Sequence, residues 1–567
     1  MDAVLFISLI WLAGACVRIY RQAHYYQIEE YMSRRYLRWL SAERERWVPV
    51  RPVLSWLFTV FLTVLFSETG NRLLAGIVPI VGSIAGVWPP RTGEVKKPFR
   101  PTARAKRLLG ASLVLAPIIL WLILGVTGSW LGSAIPSAWM RGPLNAPDGF
   151  DPAARIELIR VVGISTIGLF LFLSAPLVLV AGNIVMTPVE AMLRRRFVQQ
   201  ARQVLADVHP VVIGITGSYG KTSTKAYLAQ ILGGRYHVLA TPKSYNTLMG
   251  VTLTINTQLA NDYSIDYFVT EMGAYVEGEI AEICDLTHPQ IGIVVEVGPQ
   301  HLERFGSLDN TARAKYELIK ALPADGLGVF NWDNPYVREM YERGYPATRL
   351  AVSKSAGAEE TPQNGPRFIA SIIEDSLEGL RFTVTDIRTG ESELFATTLL
   401  GHHNVTNILL ATAVAVHEGM SLKEVARRVK MLQPAESRLV RQVTAQGITI
   451  INDAYSANPV GAEEALRVLG MHTSGKRLLI TPGMVELGAL MEPENKRLGE
   501  IAARYASDVI LVGNERTKPI QSGLLEAGFP ADHLQVVETL AESVRWYQNN
   551  LRAGDTVLFL NDLPDTY

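Results

Sequence analysis

The sequence predicts an α/β protein behind an N-terminal helical transmembrane region, with a P-loop mononucleotide-binding central domain and a C-terminal Rossmann-like α/β domain. Three observations carry this expectation. Long apolar runs crowd the first 190 residues. From about residue 205, strand-like and helix-like segments alternate, the rhythm of a largely parallel sheet. At the head of that alternation stands 211–223, VVIGITGSYGKTS, an apolar run that passes through a glycine turn into a helix-like stretch. At 567 residues the chain has room for several domains; the expected divisions are 1–200, 201–430 and 431–567. A formal net charge of +0 implies no nucleic-acid partner. The two cysteines, Cys16 and Cys284, stand in unrelated contexts and predict neither a disulfide framework nor a zinc site.

The apolar runs come first. Five spans are expected, at 4–20, 53–66, 73–88, 108–131 and 161–185. The last two have the length to cross a bilayer, and a re-entrant pair at 53–88 is the alternative for two of the shorter runs. No basic segment precedes residue 4, which argues against a cleaved signal peptide. Arginine and lysine cluster in 18–51, in 89–107 (Arg91, Lys96, Lys97, Arg100, Arg104, Lys106, Arg107) and at Arg194-Arg195-Arg196. The intervening turns hold few, Arg72 and then Arg141, Arg155 and Arg160. Such residues are retained on the cytoplasmic side. The expected placement is therefore a multi-pass protein of the inner membrane, N-terminus outside and everything after residue 186 in the cytoplasm, where ATP is available. The arginine-rich 18–51 segment also suits anionic lipid.

The α/β part follows. Strands are expected at 211–216, 236–241, 267–271, 291–297, 327–331 and 349–353, and helices at 221–232, 278–287 and 309–322. Segment 354–366 is polar and turn-rich. Residues 367–400 alternate as an antiparallel set does, and a helix follows Gly401-His402-His403-Asn404. After about 433 a second α/β rhythm begins, with strands at 447–452, 477–481, 508–513 and 556–560.

The glycine turn carries the chemistry. Gly217, Ser218, Tyr219 and Gly220 let successive N–H groups point inward, and the following helix start adds positive potential. Lys221, Thr222 and Ser223 complete a site for a triphosphate and Mg²⁺. The strict Walker spacing wants a glycine where this chain has Ile215. Glu271 ends a strand, at the sheet edge where open α/β sheets bind ligands. His301 follows another strand. One Glu and one His suffice for an ion that keeps several waters and phosphate oxygens.

Taken in order, the motifs resemble the Mur ligase family of ATP-dependent amide-forming enzymes. The nearest branch adds D-alanyl-D-alanine to the peptidoglycan precursor (MurF-type). They are TGSYGKTS at 216–223, Asn246 with Gly250-Val251, EMGA at 271–274, Gly278-Glu279-Ile280, GPQHLE at 298–303, Phe305-Gly306-Ser307 and AKYE at 314–317. GHHNVTN at 401–407, DAYSANP at 453–459 and GMVELG at 483–488 complete the set. The resemblance implies that Lys221 contacts the β- and γ-phosphates and that Thr222, Glu271 and His301 serve Mg²⁺. It implies that Lys315 is carbamylated, becoming an anion for a second Mg²⁺. Asn407 is implied at the adenine, Arg438 and Asp453 at ADP, and Asn246, Tyr455, Asn458 and Glu486 on the substrate side. The implied reaction phosphorylates a carboxylate with ATP to an acyl phosphate, which an amine then attacks to give an amide, ADP and phosphate. Closure of the third domain over the second keeps water out.

The chain departs from this pattern in four places. Apolar spans stand where the family has a domain that grips the UDP-sugar, which leaves the acceptor open between a UDP-linked and a lipid-linked precursor. Glu296 stands where the D-alanyl-D-alanine-adding enzymes have Asn. Thr481-Pro482-Gly483-Met484 replaces Leu-Gly-Asp-Met, and Ser456 replaces an Asn. Finally, 561–567 replaces a Lys-Gly-Ser-Arg type of ending. The last two departures lie in the amine-selecting domain, so the amine is left open between an amino acid and D-alanyl-D-alanine. Two other readings compete with this membrane-anchored ligase: a polyglutamate-type ligase sharing the core, and an ATP-driven transporter or sensor. Against the latter, the spans hold almost no intramembrane charge.

Overall fold

A computed structural model describes residues 3–89, 99–134, 152–356, 365–455 and 458–561. Arg91, Lys96, Lys97, Arg141, Ser456, the middle of the 354–366 loop and the 562–567 tail lie outside the described residues. The chain divides into two compact units, the first ending at Arg194 and the second running from Arg195 to Leu563.

The first unit is helical: α1 (Ala3–Ile28), α2 (Ser33–Ala42), α3 (Arg44–Trp47), α4 (Val50–Glu68), α5 (Arg72–Val87), α6 (Ala103–Ala134) and the start of α7 (Pro152–Val208). Among the described residues four helices are long and apolar enough to cross a membrane, within α1, α4, α6 and α7. The fifth expected span, 73–88, is the 16-residue α5, which is apolar but shorter. At 1.5 Å per residue it is about 24 Å long, less than a hydrocarbon core of about 30 Å. Helices α4 and α5 pack tightly: Ser55 donates to the Gly82 carbonyl over 2.8 Å, and a Cβ on Gly82 would overlap the Thr59 side chain. Buried Arg18 binds across this unit to the Phe172, Trp47 and Arg46 carbonyls at 2.9, 2.7 and 3.3 Å.

The second unit holds two sheets. The larger has nine strands in the order β2-β3-β1-β4-β5-β6-β7-β8-β9. These are β1 (Val211–Thr216), β2 (Val238–Ala240), β3 (Tyr267–Glu271), β4 (Ile291–Val294), β5 (Leu327–Asn331), β6 (Thr348–Ser353), β7 (Phe368–Ser376), β8 (Gly379–Asp386) and β9 (Ser392–Thr397). Pairing is parallel through β7 and antiparallel for β7–β8–β9, as the alternation in 367–400 predicts. Fully buried Ile213, Ile215, Val269 and Ile293 point to one face, against helix α8 (Lys221–Leu232) and helix α14 (His403–His417). Val212, Phe268 and Met272 point to the other, with Ala201 from the end of α7.

The smaller sheet has six strands in the order β10-β11-β15-β12-β13-β14. They are β10 (Val440–Val443), β11 (Thr449–Asp453), β12 (Arg477–Thr481), β13 (Asp508–Val512), β14 (Leu534–Val537) and β15 (Thr556–Leu560). All pairs are parallel except β10–β11. The edge strands β10 and β14 are additional to the sequence expectation. They are short and half-exposed, so neither shows an apolar run. Strand β4 stops at Val294, three residues before the expected end, and 295–297 turn out toward the nucleotide loop: Val295 N–H donates to Thr216 and Ser218 N–H to Glu296.

Candidate active site

Strand β1 sits between β3 and β4, and the chain leaves it in both directions across the sheet. This is the switch point where a crevice opens at the carboxyl ends of parallel strands. Ile215 lies beside Glu271 and Thr216 beside Val294. The turn after β1, the acid ending β3 and the loop after β4 that bears His301 therefore meet at one edge.

The turn adopts left-handed backbone at Gly220 (φ 76), and Gly217 has φ 150. A Cβ on Gly217 would sit 2.9 Å from the Glu296 nitrogen, and one on Gly220 would sit 2.6 Å from both Asn407 Oδ1 and Val295 Cγ1. Ser218 lines the hollow at the turn, and its hydroxyl exchanges hydrogen bonds with the Gly298 carbonyl and N–H at 3.0 Å. Lys221 Nζ folds over the turn onto the Gly217 and Ser218 carbonyls at 2.6 and 3.2 Å. Burial lowers its pKa to about 8, Glu271 opposing and Arg438 adding to the shift.

Glu271 is buried. Its Oε2 accepts from the Thr222 hydroxyl and the Lys225 ammonium, both at 3.1 Å, and its Oε1 accepts from Asn246 Nδ2 at 3.3 Å. The hydroxyl and carboxylate required for a phosphate-bound cation are thus side by side, and Asn246, expected on the substrate side, is bound to the acid. Lys225 was not among the expected site residues. It lies four residues after Lys221, one helical turn along α8, and only its contact with Glu271 distinguishes it from an ordinary helix lysine.

His301 does not touch Glu271; its Nδ1 is bound to Glu486, and its ring lies edge-on to Tyr275 with centroids 4.6 Å apart. Burial lowers the His301 pKa, the Glu486 hydrogen bond opposing it. Lys315, on helix α12 (Leu308–Lys320), is buried with its Nζ 5.5 Å from the Phe305 ring centre. Burial lowers its pKa to about 7, and the charge of Lys221 adds to the shift. Among the described residues no three His, Cys, Asp or Glu side chains gather as a metal cluster; the candidate donors are the Thr222–Glu271 pair, with His301 and Lys315 apart from it.

The far wall of the cavity comes from helix α14, from the smaller sheet and from the linker before that sheet. Asn407 is oriented by Thr224, whose hydroxyl donates to its Oδ1 at 3.1 Å, and by its own bond to Asn404 at 3.2 Å. Arg438 lies over the Tyr455 ring at 4.6 Å. Asp453 ends β11 and accepts from Leu439 N–H at 3.0 Å; burial raises its pKa to about 6 against the pull of Arg438. Asn458 caps helix α16 (Pro459–Gly470), accepting from Gly461 N–H at 2.9 Å. Ser223 is buried on α8.

Two connected hollows result. One is walled by Lys221, Thr222, Glu271, Asn246, Tyr275, His301, Arg438 and Tyr455. The other runs from Gly220 and Ser223 to Asn407, Arg438 and Asp453, and includes Glu296, Asp333 and Lys354. Asp333, Lys354, Tyr275 and Arg304 are absent from the sequence expectation because nothing local distinguishes them; the sheet topology brings them to the edge. Donors, a lysine and an acid with its hydroxyl at one end, and an oriented amide and a carboxylate at the other, suit the phosphates and the nucleoside of one nucleotide.

Residues 215–415 match the Mur ligase middle domain and 437–561 the Mur ligase, glutamate ligase domain. The UDP-N-acetylmuramoyl-tripeptide–D-alanyl-D-alanine ligase of Mycobacterium leprae is 33% identical over 368 residues, 61% of this chain and 70% of that protein. The enzyme of the same name from Bacillus subtilis is 29% identical over 362 residues, 64% of this chain and 75% of that protein. The crystal structure of the MurF ligase from Thermotoga maritima in complex with ADP superposes with a TM-score of 0.55 at 21% identity. It covers 65% of this chain and 80% of its own.

Proposed function

The chain belongs to the Mur ligase family, and from that premise we propose that it is a membrane-anchored ATP-dependent acid–amine ligase of the MurF type. It activates a carboxylate of a cell-envelope precursor as an acyl phosphate and joins it to D-alanyl-D-alanine or an amino acid. The observation that carries the reading is the Thr222–Glu271 contact beneath the Gly217–Lys221 turn, opposite Asn407 and Asp453.

Each residue has a task in this reaction. Phosphoryl transfer needs little covalent chemistry from protein and much positioning and charge neutralisation. The N–H groups of 219–222 and the Lys221 ammonium hold the β- and γ-phosphates. Asn407 takes the adenine, and Asp453 with Arg438 the ribose side. Thr222 and Glu271 would hold Mg²⁺, which supplies charge neutralisation on the phosphates when bound; Lys225 and Asn246 keep that carboxylate aimed. His301 and a carbamylated Lys315 would serve a second ion. Burial that lowers the Lys315 pKa to about 7 makes the neutral amine, the state that adds CO₂, accessible near neutral pH. The carboxylate oxygen of the acceptor attacks the γ-phosphorus and ADP leaves. The amine then attacks the acyl carbon and phosphate leaves, with Arg438 and Tyr455 closing the mouth against water.

The four long apolar helices and the arginines at 18–51 and 194–196 support a place in the cytoplasmic membrane, with a lipid-linked or UDP-linked acceptor. The test uses the full chain in detergent with ATP and Mg²⁺. UDP-N-acetylmuramoyl-tripeptide and its lipid-linked counterpart are each crossed with D-alanyl-D-alanine and single amino acids. ADP release with a new amide, lost in Lys221→Ala, is expected. A γ-glutamyl product would overturn the D-alanyl-D-alanine reading in favour of a polyglutamate-type ligase.

A further inference from the structure

The contact between His301 and Glu486 joins two domains of the ligase unit. His301 belongs to the loop after β4 of the larger sheet, and Glu486 to the loop after β12 of the smaller one. Both residues sit in left-handed backbone, φ 53 and φ 61, though neither is a glycine. Such conformations persist where the surroundings over-determine them, and they cluster at functional positions.

The surroundings are defined on both sides. The 483–488 loop is held by Asn495, whose Oδ1 accepts from Met484 N–H at 2.8 Å and whose Nδ2 donates to the Met484 carbonyl at 2.9 Å. Asn561 Nδ2 also donates to the Gly483 carbonyl, at 2.6 Å. At its far end Gly488 lies against the helix that begins after His301: a Cβ there would meet the Glu303 nitrogen at 3.4 Å. Arg304, one turn along that helix, donates to the other Glu486 oxygen at 3.3 Å and covers the Tyr275 ring at 4.1 Å. Tyr275 in turn packs edge-on against the His301 ring. The imidazole is therefore fixed by an aromatic edge on one side and a carboxylate from the other domain at Nδ1.

We propose that Glu486 is a positioning residue. It accepts the Nδ1–H of His301 and so presents the free Nε2 lone pair to the phosphate hollow, and it does so only while the two domains are closed. The inference rests on the ligase reading and deepens it: the second domain supplies the group that readies a metal-side histidine of the first. Carboxylates that accept from the far nitrogen of a ligating histidine set its tautomer and ring orientation, and their loss costs about 10–100-fold in metal affinity. Any opening motion that separates the 483–488 loop from residues 301–304 removes that partner, which ties cation retention to closure.

The test measures Mn²⁺ affinity by electron paramagnetic resonance on the full chain in detergent, saturated with a non-hydrolysable ATP analogue. Glu486→Ala is expected to weaken Mn²⁺ by about tenfold or more. Analogue affinity in the absence of metal should stay unchanged. Glu486→Gln, whose amide oxygen still accepts from Nδ1–H, is expected to recover affinity to within about threefold. Wild-type Mn²⁺ affinity in Glu486→Ala overturns the proposal. So does a Gln variant as impaired as Ala, and so does a parallel loss of metal-free analogue affinity, which would mark a structural bolt. Failure of every amine and acceptor in the ligation assay, with these Mn²⁺ results intact, would sink the substrate reading alone.

Discussion

A side-chain carbon on Gly220 would stand 2.6 Å from Asn407 Oδ1, so the nucleotide turn and helix α14 touch through a position that admits no Cβ. The φ of 76 at Gly220 disfavours other residues independently. Because Thr224 and Asn404 hold Asn407 in place, it has no free direction in which to yield. Gly220→Ala is expected to cost about 1–3 kcal/mol of stability in the ligase unit. It should also weaken a non-hydrolysable ATP analogue about tenfold, as Asn407 is pushed off the nucleoside position. Calorimetric titration checks this, and an unchanged affinity would contradict the assignment of Asn407.

Among the described residues the Lys221 ammonium makes hydrogen bonds only to carbonyls of its own turn, at 2.6 and 3.2 Å, so its removal leaves the fold alone. Lys221→Ala is expected to lower kcat/KM by about 10²–10³, the scale for losing one preorganised donor to developing charge. The thermal midpoint should stay within about a degree. A large fall in the midpoint would mean that the lysine serves the turn and not the phosphates.

Lys315 supplies a pH test. Unfolded, it keeps its proton to its ordinary 10.5; folded, burial moves the loss to about 7. Between those values the unfolded chain binds the extra proton, so stability rises with pH across that window. Below about 7 the penalty for the buried ammonium is felt in full. Replacing Lys315 with Met should flatten the rise in unfolding free energy between pH 7 and 9, though Lys221, lowered to about 8, leaves part of it. With ¹³C-bicarbonate, a carbamate carbonyl signal should grow as pH climbs through 7 and be missing in Lys315→Arg. A signal that persisted in Lys315→Arg would place the adduct elsewhere.

The turn at 217–223 was legible because its chemistry is local: two glycines, a lysine and a hydroxyl in sequence. Glu271 was legible as a strand end that register sets beside Ile215 of β1, and His301 as part of the loop that follows β4, the strand paired to β1 on its other side. The partners of those residues were not. Lys225 reads as an ordinary helix lysine until β3 places Glu271 within 3.1 Å of it. Glu486 was expected on the substrate side, and its bond to His301 depends on two loops 185 residues apart. Ser218 reads as a phosphate contact, but its hydroxyl is occupied by Gly298, a neighbour that exists only once β4 lies beside β1. The short edge strands β10 and β14 lacked an apolar pattern since neither has a fully buried face.

The first unit offers a prediction of a different kind. Pro176 has no N–H to return to the carbonyl of Phe172, four residues earlier in α7. Arg18 fills that vacancy, donating to the Phe172 carbonyl over 2.9 Å with its guanidinium 4.9 Å from the Phe172 ring centre. A buried arginine in an apolar helix is thus accounted for by a proline in another helix. Arg18→Met should destabilise this unit by about 1–3 kcal/mol, the cost of a buried acceptor left without a donor. In a Pro176→Ala background the helix supplies its own N–H, and the same substitution should cost about 1 kcal/mol less. The remainder reflects the bonds to Arg46 and Trp47, which Pro176→Ala does not replace. Unfolding in mixed micelles titrated with dodecyl sulfate measures all four species of the cycle. Strict additivity would show that Arg18 is held for its contacts with the 44–47 turn alone.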